Sequence, residues 1–247
     1  MKKIMCLVCA SILLMSCPIV YAEESTHETA AKTEHGAAGV EQSKGVNADE
    51  ALERLLAGNK RYVDGQFFHP HQGARDRENV ATSQRPYAII VSCSDSRVPP
   101  EVIFDQGIGD IFVVRVAGNI AGNIELGSIE YAAEHLGSSL IMVLGHERCG
   151  AVTAAVKGGE VPGHIKSIVE AIIPAVKEGA AGADKVDGAI RANVSLVATQ
   201  IKTSEPILAE MAKEGKIKIV GAYYDLDTGE VAVIDTAAVK AAAKKEK

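Results

Sequence analysis

The sequence has no tryptophan, and aromatic residues make up only 4% of its 247 positions. No basic stripe interleaved with aromatics occurs anywhere, which excludes the surfaces that hold nucleic acids. Long apolar runs are missing too. The stretch from Ile4 to Leu14 falls well short of the ~20 residues that a membrane-spanning helix needs. No internal repeat is visible. Cysteine is scarce where it would count: Cys6, Cys9 and Cys17 crowd the start, leaving only Cys93 and Cys149 for a folded domain. Two cysteines exclude a disulfide-dense scaffold, and the lack of a Cys–x–x–Cys pair in that domain excludes a thioredoxin-like role. The His–x–Glu with Pro–Cys–x–x–Cys combination of zinc nucleobase deaminases is also missing.

What is present divides the chain into four parts. Met1-Lys2-Lys3, the apolar run and the small-residue site Val20-Tyr21-Ala22 predict a secretory signal peptide over 1–22, cleaved after Ala22. The expectation is an exported protein, periplasmic or secreted. The alternative is a lipid anchor on Cys17, because Leu13-Leu14-Met15-Ser16-Cys17 resembles a lipoprotein signal. Loss of Lys2 and Lys3 with the signal takes the net charge from −6 to −8. Residues 23–47 are polar with almost no large apolar side chain before Val40, and read as a flexible leader. Residues 48–240 have the size of one domain with a sizeable core, and 241–247 form a charged tail.

Within the domain, Leu52, Leu55, Leu56 and Tyr62 recur at helical spacing over 49–63, predicting an amphipathic helix before a polar connection. Unbroken apolar runs then appear at 87–91, 111–116, 140–144 and 217–224. Such β-branched runs fit strands buried on both faces. Helical segments at 124–135, 151–156, 164–176 and 190–202 separate them, which implies an α/β fold with a mostly parallel sheet and right-handed crossovers. The turn Asp225 to Gly229 followed by alternation over 230–235 predicts an antiparallel hairpin on the sheet edge.

Ligands gather at the carboxyl ends of strands in such sheets. Ser92-Cys93-Ser94-Asp95-Ser96-Arg97 directly follows the first predicted strand, and Gly145-His146-Glu147-Arg148-Cys149-Gly150 follows the third. Cys93, His146 and Cys149 supply two thiolates and one imidazole, a three-ligand zinc set with a fourth position open. The bland alternative is a Cys93–Cys149 disulfide in a secreted binding protein, which leaves Asp95, Arg97 and His146 without a role. Two thiolates and a neutral imidazole nearly cancel the charge of Zn²⁺, so the site acidifies water less than three histidines do. Asp95 is placed to orient that water, and Arg97 to hold Asp95 in a bidentate pair. Asp95 is also able to swing onto the metal and close the site, a form favoured at lower pH.

The motifs Cys93-Ser94-Asp95-Ser96-Arg97-Val98, Arg115-Val116-Ala117-Gly118-Asn119 and Gly145-His146-Glu147-Arg148-Cys149-Gly150-Ala151-Val152 resemble those of the β-class carbonic anhydrases, over roughly 50–236. The resemblance implies one Zn²⁺ per chain on Cys93, His146 and Cys149, with Asp95 as a fourth ligand in a closed state and Asp95–Arg97 as catalytic dyad. It implies reversible hydration of carbon dioxide to bicarbonate and a proton, by attack of zinc-bound hydroxide. It also implies a homodimer or dimer of dimers in which the N-terminal helix packs on the partner. By the same likeness Gln84, Phe112, Tyr131 and the Gly150 N–H form the substrate pocket, with Gln84 and Tyr131 coming from the partner chain. The absence of tryptophan departs from the branch that has an inhibitory bicarbonate pocket. His135 and His164 are candidate proton shuttles by chemistry alone. A rival on the same scaffold is a carbon disulfide or carbonyl sulfide hydrolase.

Overall fold

In the computed structural model, residues 45–179 and 184–235 are described. The sequence-based expectations for 1–22, 23–44 and 241–247 lie outside them. Five strands form one sheet: β1 (Ala88–Ser92), β2 (Ile111–Arg115), β3 (Leu140–His146), β4 (Lys218–Tyr224) and β5 (Val231–Ile234). Their spatial order is β2-β1-β3-β4-β5. The first four run parallel, and β5 pairs antiparallel with β4, Tyr224 opposite Val231. This is the expected parallel sheet with an edge hairpin.

The pleat explains why the central strands are apolar up to their last residues, Ser92 and His146. Ala88 and Ile90 of β1, with Leu140, Met142 and Leu144 of β3, enter the core on one face. Ile89, Val91, Ile141 and Val143 enter the core on the other. Successive side chains alternate between faces, so a strand covered on both sides carries no polar position. Each fully buried Ile or Leu contributes about 1.5–3 kcal/mol.

Helices α1 (Ala48–Val63), α5 (Gly150–Lys157) and α6 (Ile165–Glu178) cover the first face, while α4 (Asn123–Glu130) and α8 (Ile207–Lys213) lie on the second. The long α7 (Lys185–Lys202) places Ala189 and Ile190 in one core and Val194, Val197 and Ile201 in the other. Asn47 caps α1, its Oδ1 accepting from the N–H groups of Asp49 and Glu50, which satisfies two otherwise orphaned donors. The N-terminal helix is anchored to its own chain. Ala51 and Leu55 are fully buried, and buried Asn59 donates to the carbonyls of Ile103 and Gly229 while accepting from Val231 N–H. Only its outer side is left for a partner.

Besides α8, two short helices occupy segments whose pattern did not announce them. In α2 (Ala74–Val80) no residue is buried. Its start is held by Asp76, whose carboxylate accepts the Gly73 N–H at 3.0 Å. The other, α3 (Pro100–Ile103), follows Pro99 after the first site motif. The helix expected over 124–135 is α4 continued by a wider turn, Tyr131–His135, closed by the Leu136 N–H on the Tyr131 carbonyl. Among the described residues no helix is long and apolar enough to cross a membrane.

Candidate metal centre

Cys93 sits one residue beyond β1, His146 ends β3, and Cys149 caps α5. Parallel neighbours β1 and β3 therefore bring all three to one carboxyl edge. Their ligand atoms lie within 4.8 Å of one another, and the residues are 4%, 1% and 1% exposed. Both cysteines are free thiols, so the disulfide alternative does not hold in this structure. A left-handed turn at Arg148 (φ 51°) lets the chain leave the strand at His146 and present Cys149 three residues later.

The donor set fits a divalent metal on this chain's own chemistry. His146 Nδ1 lies 2.8 Å from the Glu147 carbonyl. That oxygen can only accept, so Nδ1 carries the proton and Nε2 keeps a bare lone pair. Nε2 is buried without a hydrogen-bond partner, an arrangement that costs free energy unless something binds it. The thiols are similarly frustrated. A hydrogen bond from Cys149 holds Cys93 well below the ordinary thiol range against the opposing effect of burial, helped by the Gly118 and Asp95 N–H groups. Cys149 is pushed up by its bond to Cys93, by burial and by the neighbouring negative charge. Two thiolates this close would repel, so one sulfur keeps its proton, and a cation between them would let both ionise.

Asp95 stands beside the cluster, its Oδ2 3.9 Å from His146 Nε2. Arg97 grips the carboxylate through Nε to Oδ1 (2.9 Å) and Nη2 to Oδ2 (2.7 Å), and the Arg97 N–H adds a third bond to Oδ1 (3.0 Å). The Arg97 side chain thereby holds Asp95 well below the usual carboxylate range, against partial burial. Asp95 is engaged with Arg97 and does not join the three-residue ligand cluster.

A supporting layer surrounds the cluster. Arg115, ending β2, donates to the carbonyls of Cys93 (2.9 Å) and Asp95 (2.6 Å), fixing the loop that carries both. The Gly118 N–H donates to Cys93 Sγ at 3.2 Å. Asn193 of α7 donates to the Gly118 carbonyl at 2.7 Å. Arg148 bridges from the ligand loop to Asp227 in the β4–β5 turn (2.6 and 3.1 Å). The sequence signal for Arg115 and Gly118 was their presence in a recognised motif; Asn193 had none.

The expected pocket residues divide. Gly150, the first residue of α5, adjoins Cys149. Gln84 lies before β1, at the opposite edge of the sheet, separated from Cys93 by the length of a strand, roughly 15 Å. It lines a cavity of about 340 Å³ with Arg85, Glu134 and His135. Tyr131 is 48% exposed on the same side of the molecule, its ring 5.4 Å from that of His135. Phe112 is half-buried in edge strand β2, packed toward the α4 face. His164 precedes α6 and is exposed. One chain therefore brings together the three ligands, the Asp95–Arg97 pair and Gly150, and leaves Gln84 and Tyr131 facing outward elsewhere.

Comparison with known proteins gives the same picture. The profile of the carbonic anhydrase family matches residues 88–231. A carbonic anhydrase of Mycolicibacterium smegmatis is 43% identical over 190 residues, covering 75% of this chain and 92% of that protein. Carbonic anhydrase 2 of Mycobacterium tuberculosis is 40% identical, covering 77% and 94%. Among solved structures, a tetrameric β-carbonic anhydrase of the filamentous ascomycete Sordaria macrospora superposes with TM-score 0.59 at 25% identity, over 74% of this chain and 93% of that one. A Coccomyxa β-carbonic anhydrase in complex with acetazolamide superposes with TM-score 0.59 at 27% identity, over 74% and 86%. With the strand order, the two-cysteine, one-histidine cluster and the family match from β1 to the start of β5 in agreement, the chain belongs to the β-class carbonic anhydrases.

Proposed function

We propose that the protein catalyses CO₂ + H₂O ⇌ HCO₃⁻ + H⁺ at one zinc per chain, held by Cys93, His146 and Cys149. The observation that carries this reading is the buried, unpartnered His146 Nε2 facing two thiols, beside a carboxylate locked in its ionised form. Zinc supplies the Lewis acidity that makes water a competent nucleophile near neutral pH. The remaining work belongs to the chain. Asp95, kept anionic by Arg97, accepts a hydrogen bond from the attacking water and orients its lone pair toward carbon. The Gly150 N–H, at the positive end of α5, donates to the oxygen on which charge develops. The buried residues around the cluster exclude bulk water and strengthen each of these interactions.

The substrate side is completed by a second copy. Gln84 and Tyr131 face outward on one side of the molecule, far from their own cluster. This supports a homo-oligomer built on a dimer, in which these side chains reach the partner's site. Export, with cleavage after Ala22, is the proposed localisation; the basic start, the apolar run and the small-residue site support it.

The test is zinc content and carbon dioxide hydration rate at about pH 7 and about pH 8.5, bracketing titration of water on a metal. One zinc per chain with a rate that rises with pH, both lost in Cys149→Ala, is the expected result. Zinc without hydration at either pH would overturn the substrate assignment, and no zinc would overturn the metal centre.

A further inference from the structure

Cys93 is reached by a two-bond relay from the long helix α7. Asn193 is 2% exposed in the middle of α7. Its Nδ2 donates to the Gly118 carbonyl at 2.7 Å, and the N–H of that same glycine donates to Cys93 Sγ at 3.2 Å. Gly118 adopts φ 74°, and a Cβ there would lie 2.6 Å from Ile172 Cδ1 and 3.2 Å from Ala151 Cβ. Helices α5, α6 and α7 thus close on one glycine, which leaves its flanking amides few orientations. The Asn193 bond, set at the carbonyl, fixes the rotation that keeps the N–H aimed at sulfur.

We propose that Asn193 is a positioning residue of the metal centre, acting through Gly118 to hold an N–H on the Cys93 sulfur. An N–H···S bond draws electron density from a thiolate. It therefore sets how strongly that sulfur donates to a bound cation, and how easily the ligand swings away. Asn193 adds no ligand atom of its own. A core helix would be filled more simply by an apolar residue at this position, as it is at Val194 and Val197 next to it. The buried amide is accounted for by the one carbonyl it holds.

The inference rests on the zinc reading above, and the test separates the two. Purified full-length wild type, Asn193→Leu (same branching at Cγ, no donor), Asn193→Ala and Val197→Ala would be loaded with zinc, and release to a chelator followed. The same four proteins loaded with cobalt report the thiolate-to-metal charge-transfer band. Both Asn193 variants should release zinc about 10-fold faster, at the low end of the 10–100-fold range for outer-shell partners, and shift the band. Val197→Ala removes packing from the same helix without touching the relay. It should lower the unfolding midpoint and leave release and band as in wild type. If Asn193→Leu does not fold, Asn193→Ala carries the same comparison. Asn193 variants that match wild type, or a Val197→Ala that releases zinc equally fast, would overturn the positioning role while the zinc centre stands. A wild type that retains no zinc would overturn both.

Discussion

Gly118→Ala offers the sharpest test of how the ligand loop is held. The left-handed φ of 74° costs a residue with a Cβ about 1–2 kcal/mol. The new methyl would also stand 2.6 Å from Ile172 Cδ1, and Ile172 is fully buried, so it has no solvent to move into. Overpacking of this kind costs about 1–3 kcal/mol, for a total of about 2–5 kcal/mol, a large share of a typical domain's stability. Ile172→Val alone, which deletes the offending Cδ1, should cost about 1 kcal/mol. In the double variant the clash is gone and the nearest remaining neighbour is Ala151 Cβ at 3.2 Å. The two changes should therefore couple, the double variant being about 1–2 kcal/mol more stable than the sum of the singles. The assay is urea unfolding followed by circular dichroism, at fixed protein and zinc concentration because both bias the folded state. Additivity within about 0.5 kcal/mol would refute the claim that Ile172 is what forbids a side chain at 118.

Arg115→Ala removes both bonds to the Cys93 and Asp95 carbonyls and should weaken zinc binding about 10-fold. Arg115→Lys, which cannot span both oxygens, should fall between, and competition with a chelator measures it. Asp105, with its side chain 1% exposed, accepts from Arg61 (2.6 Å) and from the Phe68 and His69 N–H groups. Burial raises its pKa, but those three donors outweigh it, so the net direction is down. A depressed acid stabilises the fold above its unfolded pKa, and that stability is lost as pH falls through the folded value. Asp105→Asn should thus cost about 2 kcal/mol near pH 7, with the gap to wild type closing below about pH 4, read by urea midpoints across pH. Mixing inactive Cys149→Ala with weakened Gln84→Ala should restore hydration, since one site in the mixed dimer keeps both its ligands and its partner's Gln84; no recovery on subunit exchange would refute a shared site.

The sheet was legible because β1 and β3 bury both faces, so their apolar runs have no polar interruption to blur them. The helices of the layers were legible for the same reason at the helical period. The short α2 was not, because none of its residues is buried and no apolar spacing survives to mark it. Leu208 is the one buried residue of α8, too little for a period. Cys93, His146 and Cys149 were readable because donor chemistry is rare and because the end of a parallel strand is a known place for it. Asn193 was not. It is 75 residues from the glycine it holds, and an amide in an amphipathic helix reads locally as an ordinary polar position. Only packing of α7 across the sheet edge gives it a partner.

The site has two halves with different physical origins. The metal half is made by one chain: two adjacent parallel strands, a left-handed turn and a buried relay converge on three donor atoms, and Cys93 and His146 are each oriented by a bond from the same chain. Nothing in that half requires a second copy. The substrate half, as proposed, follows another logic, since a strand's length separates Gln84 from the cluster and among the described residues no loop returns it. On the proposed reading, metal affinity is a property of the folded subunit and turnover a property of the assembly. Dilution below the dimer's dissociation constant would then abolish hydration while zinc stays bound, and loss of both together would mean that the ligand edge itself is completed by the partner.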